Sequence, residues 1–246
     1  MAYYAIKREL QPITLGMKRT LEIIPADKYT RAYIKTVHKI QMWACNLSLE
    51  IHEARIRVYT HDLTTGQRRE WPKLGTTVRL LPNRSTEISE FTIPIVHERV
   101  DEATKNNTGY LQIEERERQV VVAAYLCIDG QNPARAVNWP EPLKHVHFPK
   151  PAVTTLRLTS SSYGPEGAGC LESGLGHPHE ADTVVVSADV PVKGLVVEVV
   201  DVEKLEKTVV FEDNGVDLVP GDSVSIGVNG LNLGDEHHLS VRYLGM

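Results

Sequence analysis

Cysteine is scarce in this chain, with three residues in 246. Cys45, Cys127 and Cys170 are an odd number, too few for a disulfide framework, and a reducing compartment fits them. Cys45 and Cys127 fall inside strand-like runs, where a free cysteine is expected to pack as a small buried hydrophobe. Aromatic residues make up only 6%. There is no basic excess: the formal net charge is −5, which argues against nucleic acid or an anionic membrane surface as principal partner. Long apolar runs are missing too. Val120 to Ile128 (VVVAAYLCI) is far shorter than a membrane span. No N-terminal stretch has the charged, apolar, small-residue order of a signal peptide, so a location inside cells is expected, with secretion left open. Three sequons, at Asn46, Asn83 and Asn106, point weakly the other way.

What is present is β patterning with enough apolar residues, 41%, for a sizeable core. The first dozen residues stand apart. Ala2 to Leu10 (AYYAIKREL) favours helix and puts Tyr3, Ile6 and Leu10 on one face, and Pro12 stops it. So short a helix needs a body to pack on. From Thr14 the signal is β. Ile34, Ile40, Met42 and Ala44 share a phase, and Ala54 to Thr60 (ARIRVYT) alternates cleanly. Asp62 to Gly66 is a turn, and further strands are expected at 77–82, 86–95 and 118–128. Four prolines, Pro140, Pro142, Pro149 and Pro151, mark a stiff junction between two domains. Beyond it, strands are expected at 153–158, 183–188, 194–200, 208–211, 223–228 and 237–243. Turns fall at 213–215 and 217–221, and 160–182 reads as a glycine- and serine-rich insert. The fold class is all-β: two consecutive immunoglobulin-like β-sandwiches preceded by a short N-terminal helix.

Several segments, in order, resemble one known family. They are Tyr3 to Arg8 (YYAIKR), Pro12 to Gly16 (PITLG), Met42 to Leu47 (MWACNL), Leu81 to Glu87 (LPNRSTE), Asn138 to Lys144 (NWPEPLK) and Asp213 to Gly221 (DNGVDLVPG). Together they are similar to the C-terminal end of fungal β-mannosidases of glycoside hydrolase family 2. The resemblance implies that 1–12 is the terminal helix of a (β/α)8 barrel otherwise missing here. It makes 13–148 a mannosidase Ig/CBM-like sandwich and 149–246 a C-terminal Ig-fold domain. It also implies that the two catalytic glutamates belong to barrel strands with no counterpart in this sequence. Met1 stands where the family's chain continues from the barrel, and the 160–182 insert is longer than the family pattern. The implied partner is the barrel, with mannosides or mannan as further ligands. The implied role is accessory, and the alternative is a carbohydrate-binding module.

Other chemistry is expected to be absent, with no catalytic, cofactor-binding or metal residue assigned. Glu114, Glu115 and Glu117 are the densest carboxylates, but neighbours on a strand face opposite ways, so they read as a solvated, ion-paired edge. A retaining glycosidase needs two carboxyls about 5 Å apart on a rigid frame, and a barrel takes about 200 residues that the β pattern already occupies. Cys170, His177 and His179, or His145 and His147, lack the tight paired spacing of zinc ligands. His237 and His238 are adjacent and face apart. Trp43, Trp71 and Trp139, with Tyr59, Tyr110 and Tyr125, are candidates to stack on sugar rings. The plainer reading makes Trp43 core and wedges Trp139 at the domain junction. No G-x-S-x-G is present, and the glycines of 164–176 are not followed by the lysine of a phosphate loop.

Overall fold

A computed structural model describes residues 2–25, 34–71, 77–94, 97–105, 111–117, 119–150, 154–159, 182–200, 208–231 and 238–245. The helix α1 runs over Ala2–Glu9. Ten strands follow before residue 139: β1 Ile13–Pro25, β2 Ile34–Asn46, β3 His52–Asp62, β4 Arg68–Glu70, β5 Thr77–Leu80, β6 Arg84–Pro94, β7 His97–Lys105, β8 Leu111–Glu117, β9 Val120–Ile128 and β10 Gln131–Asn138. After a 3-10 turn at Leu143–His145 come β11 Thr154–Thr159, β12 Asp182–Ala188, β13 Val192–Val199, β14 Val210–Phe211, β15 Val216–Leu218, β16 Ser223–Asn229 and β17 Leu239–Arg242. Every pairing described is antiparallel.

In the first half, a sheet of order β1-β2-β6 faces one of order β10-β9-β3-β4, on which β5 also pairs with β3, and β7 and β8 form a separate ribbon. Alternation decides which side chains go inward. Ile40, Met42 and Ala44 of β2 meet Ala54, Ile56 and Val58 of β3, all buried in one core. In the second half, β11-β12-β16-β14 faces β15-β13-β17 over Val184, Val186, Leu195, Leu218 and Ile226. Among the described residues, no strand of one half pairs with a strand of the other.

A third apolar cluster lies outside both cores. β9 is buried on both faces: Val122, Ala124 and Leu126 serve the first core. Val121, Ala123 and Tyr125 turn the other way and pack with Leu63, Trp139, Val146 and Val219. Val219 follows β15, so this cluster joins the halves.

Three expectations are corrected. Trp43 is not core. It lies between the buried Met42 and Ala44, so strand parity sends it to the outer face, where it is half-buried. There the indole covers Gly16 on the neighbouring strand, and any Cβ at position 16 would collide with it. Cys45 and Cys127 are half-buried rather than buried, because they too lie out of phase with the core. The stretch expected as a turn at 217–221 begins as strand β15, since Val216 and Leu218 both point into the second core.

Candidate functional site

Two features stand out once the candidates are placed: a junction between the halves and an apolar surface at the N-terminal helix. Strand register builds the first. Directly paired residues share a face, and the pairs His61↔Arg68, Tyr59↔Glu70, His61↔Val121, Tyr59↔Ala123, Ala123↔Val137 and Tyr125↔Arg135 therefore place these side chains on the outer face of one sheet. The segment from Asp217 to Asp222 docks on that face.

The polar contacts across this junction are specific. Trp139 donates its indole N–H to Asp217 Oδ2 at 2.8 Å, and Arg135 Nη2 donates to the Asp217 backbone carbonyl at 2.7 Å. The Tyr125 hydroxyl donates to Asp222 Oδ2, which also sits 3.2 Å from Arg135 Nε. Burial is the main cause that pushes the Tyr125 phenol well above its usual range, so it stays a donor. Asp217 Oδ1 in turn accepts the Gly194 N–H at 2.7 Å, which fixes the carboxylate to its own half. Gly66, at φ +70°, has the Asp189 carbonyl and Pro220 so close that a side chain would not fit.

His61 sits within this arrangement at 1% exposure. Neither of its ring nitrogens has a hydrogen-bond partner among the described residues. Burial first, and then the positive charges of Arg68 and Arg135, hold its pKa down at about 4.

The second feature begins at α1. Its polar side is clasped to the second half: Tyr4 Oη donates to Phe211 O, Lys7 Nζ to Glu212 O at 2.8 Å, and Arg8 to the Asp213 carboxylate at 2.5 Å and to the carbonyls of Asn214 and Gly215. The opposite side is bare, with Tyr3, Ile6 and Leu10 at 68%, 58% and 71% exposure. The loop 47–51 continues it. Leu47 N–H donates to Pro12 O at 2.7 Å, which sets the exposed Leu47, Leu49 and Ile51 beside the helix end. Six large apolar side chains in the open is more than a scatter of surface leucines.

The other candidates do not converge. Glu114, Glu115 and Glu117 lie on β8 opposite Val100, Arg99 and His97 of β7. His145 and His147 are exposed on either side of the buried Val146. No group of three or more His, Cys, Asp or Glu able to hold a metal occurs among the described residues. Cys170, His177, His179, His237, Tyr110 and Asn106 lie outside the described residues. His238 is buried. Trp71 packs on Phe91 with ring centroids 5.1 Å apart, Trp139 is buried as a wedge, and Tyr59 lies under the Arg68 guanidinium at 3.6 Å. Of the aromatic candidates described, Trp43 alone combines partial exposure with a face free of other aromatic contacts. The sequence reading missed His61, Arg135, Asp217 and Asp222, since no local signal marks a pair 78 or 97 residues apart.

These sandwiches define an all-β, immunoglobulin-like tandem. Residues 38–145 match the Mannosidase Ig/CBM-like domain family. Across its whole length the chain is 35% identical to beta-mannosidase B of Thermothelomyces thermophilus and covers 24% of it. It is 28% identical to beta-mannosidase B of Aspergillus flavus, with 99% of this chain and 24% of that protein covered. The crystal structure of a beta-D-mannosidase from Dictyoglomus thermophilum shares the fold, with a TM-score of 0.60 at 16% identity over 99% of this chain and 23% of that one. Residues 38–145 thus carry a Mannosidase Ig/CBM-like domain, and the whole chain is similar to part of the β-mannosidases of glycoside hydrolase family 2. It spans about a quarter of the length of the curated relatives it matches.

Proposed function

We propose that this chain is the non-catalytic accessory part of a β-mannosidase, in which 13–148 and 149–246 are two sandwich domains that pack on and steady the catalytic barrel. The parent reaction is hydrolysis of terminal non-reducing β-D-mannose by a retaining two-glutamate mechanism, and those glutamates belong to the barrel. The apolar surface of Tyr3, Ile6, Leu10, Leu47, Leu49 and Ile51 carries the reading. Such a surface calls for a cover, and about three quarters of the relative's length lies outside the matched part, from which one can come. The barrel seat is the helix side, because α1 turns its polar side to the second sandwich and leaves its apolar side outward.

A chimera tests this. The segment of the Thermothelomyces enzyme that corresponds to this chain is replaced by it, and aryl β-mannoside turnover and thermal unfolding are measured. The chimera is expected to be active and to unfold cooperatively, and Ile6→Glu with Leu10→Glu is expected to lower its Tm by several degrees. The chain alone is expected to release no aglycone. Turnover by the isolated chain, or a chimera indifferent to both substitutions, overturns the reading.

A carbohydrate-binding role is the second reading. Trp43 favours it: the indole covers Gly16 on an outer sheet face, the face that also carries Gln41 and its register partner Glu90, which Lys39 at 2.7 Å and Gln41 at 2.9 Å hold in place. Sugar rings stack on such platforms. Affinity electrophoresis in mannan tests it, with retardation lost in Trp43→Ala; migration unchanged by mannan sinks it.

A further inference from the structure

The junction between the two sandwiches contains a buried imidazole whose two nitrogens have no hydrogen-bond partner among the described residues. We infer that His61 is an acid-sensitive latch: proton uptake by its ring undocks the 217–222 segment from the β10-β9-β3-β4 sheet while each sandwich stays folded.

The groups around the ring explain why a proton is not accommodated in the closed arrangement. From β4, Arg68 lies directly opposite His61 in the register, and Glu70 beyond it is exposed to solvent. From β10 comes Arg135, and from β9 the phenol of Tyr125. In the docked segment, the Asp222 carboxylate is occupied by Tyr125 and Arg135. Asp217 is occupied by Trp139, Gly194 and, at 3.5 Å, Lys193. On the same strand, Asp62 is turned into its own loop, where Oδ1 accepts from Thr64 N, Thr65 N and Thr65 Oγ. An imidazolium at 61 is therefore a buried third cation within the field of the Arg68 and Arg135 guanidiniums, and the carboxylates of Asp62, Asp217 and Asp222 are already engaged.

The linkage has a definite sign. The closed form keeps the His61 pKa at about 4, and the opened form returns it to the ordinary value near 6.5. Above pH 6.5 both forms hold a neutral ring, and the closed junction has its full stability. As the pH falls from 6.5 towards 4, only the open form takes the proton. The closed-to-open ratio then drops by up to tenfold per pH unit, about 300-fold in total from well above pH 6.5 to well below pH 4.

The indole N–H of Trp139 reports the opening, because it is buried and its acceptor, Asp217, lies on the other sandwich. Its hydrogen exchange is followed by NMR on the whole chain, with the half-exposed Trp43 indole as reference for the intrinsic rate at each pH. Protection at Trp139 is expected to fall about 15-fold between pH 6.5 and 5.0 by the same linkage. In His61→Leu, and in His61→Gln should the leucine variant fold poorly, it is expected to stay level. Core amides such as those of Ile56 and Leu126 are expected to keep their protection. Constant Trp139 protection in the native chain overturns the latch, as does an equal fall in the His61 variants. Parallel loss at the core amides also overturns it, because acid then unfolds the chain as a whole.

Discussion

Trp139, at the head of the proline-rich connection, donates its indole N–H to the carboxylate of Asp217, 78 residues further on, at 2.8 Å. The bond ties the connection to strand β15 of the second sandwich. Lys193 approaches the same indole, with Nζ 5.3 Å from the ring centroid, and Phe148 packs on it at 5.8 Å. The stiffness of this junction comes from a packed, hydrogen-bonded wedge as well as from its prolines.

Cutting that wedge has a measurable cost. Trp139→Phe keeps most of the volume and removes the donor, leaving a largely buried carboxylate short of one partner; a loss of about 1.5–3 kcal/mol is expected. Trp139→Ala adds a cavity and is expected to cost about 3–5 kcal/mol. Urea unfolding of the chain, followed by circular dichroism, checks both values and their order.

Arg8 makes a weaker tie. Its side chain is 39% exposed, so Arg8→Ala is expected to cost no more than about 1 kcal/mol globally. Locally the effect is larger, because a single two-turn helix has little stability of its own. Backbone amide exchange over residues 2–9 is expected to accelerate well before any change in the strands, and mass spectrometry of the N-terminal peptide shows whether it does.

Gly66 is fixed by two constraints at once, a φ of +70° and the Asp189 carbonyl where a side chain would go. Gly66→Ala is expected to destabilise the chain by about 1–3 kcal/mol through backbone strain and overpacking. The same substitution at Gly130, where φ is also positive but nothing lies within 4 Å, is expected to cost less, about 1 kcal/mol. Thermal melts of the pair separate the packing component from the conformational one.

The sequons separate by structure. The Asn46 side chain is fully buried and donates to the carbonyls of Glu50 and Leu80, whereas Asn83 is exposed in a tight turn with φ 51°. When the chain is expressed through a secretory host, glycan is expected at Asn83 and not at Asn46. Peptide mapping after endoglycosidase treatment reads the two sites independently.

Much of the β architecture is visible in the residues themselves. Ala54, Ile56 and Val58 alternate with arginines, and Ile40, Met42 and Ala44 keep one phase, so their inward faces follow from the period of two that a strand imposes. The same rule, applied strictly, sends Trp43 outward; its size and apolar character suggested the core, but parity and the vacancy above Gly16 decided otherwise. Val216 to Leu218 reads as a turn because Asp217 and the following Pro-Gly are turn residues, yet two buried flanking side chains make it a strand.

The amino-acid order by itself determined the all-β class, the phase of the central strands, the short N-terminal helix and the resemblance that led to the β-mannosidase family, because each rests on neighbours a few residues apart or on ordered matches along the chain. Tertiary structure alone decided that α1 turns its polar side to Asp213 and leaves Ile6 bare, that β9 buries both faces, and that Arg135, Asp222 and His61 meet at one junction. These contacts join residues tens to hundreds of positions apart, and their energies depend on distance and burial, which exist only once the sheets have paired.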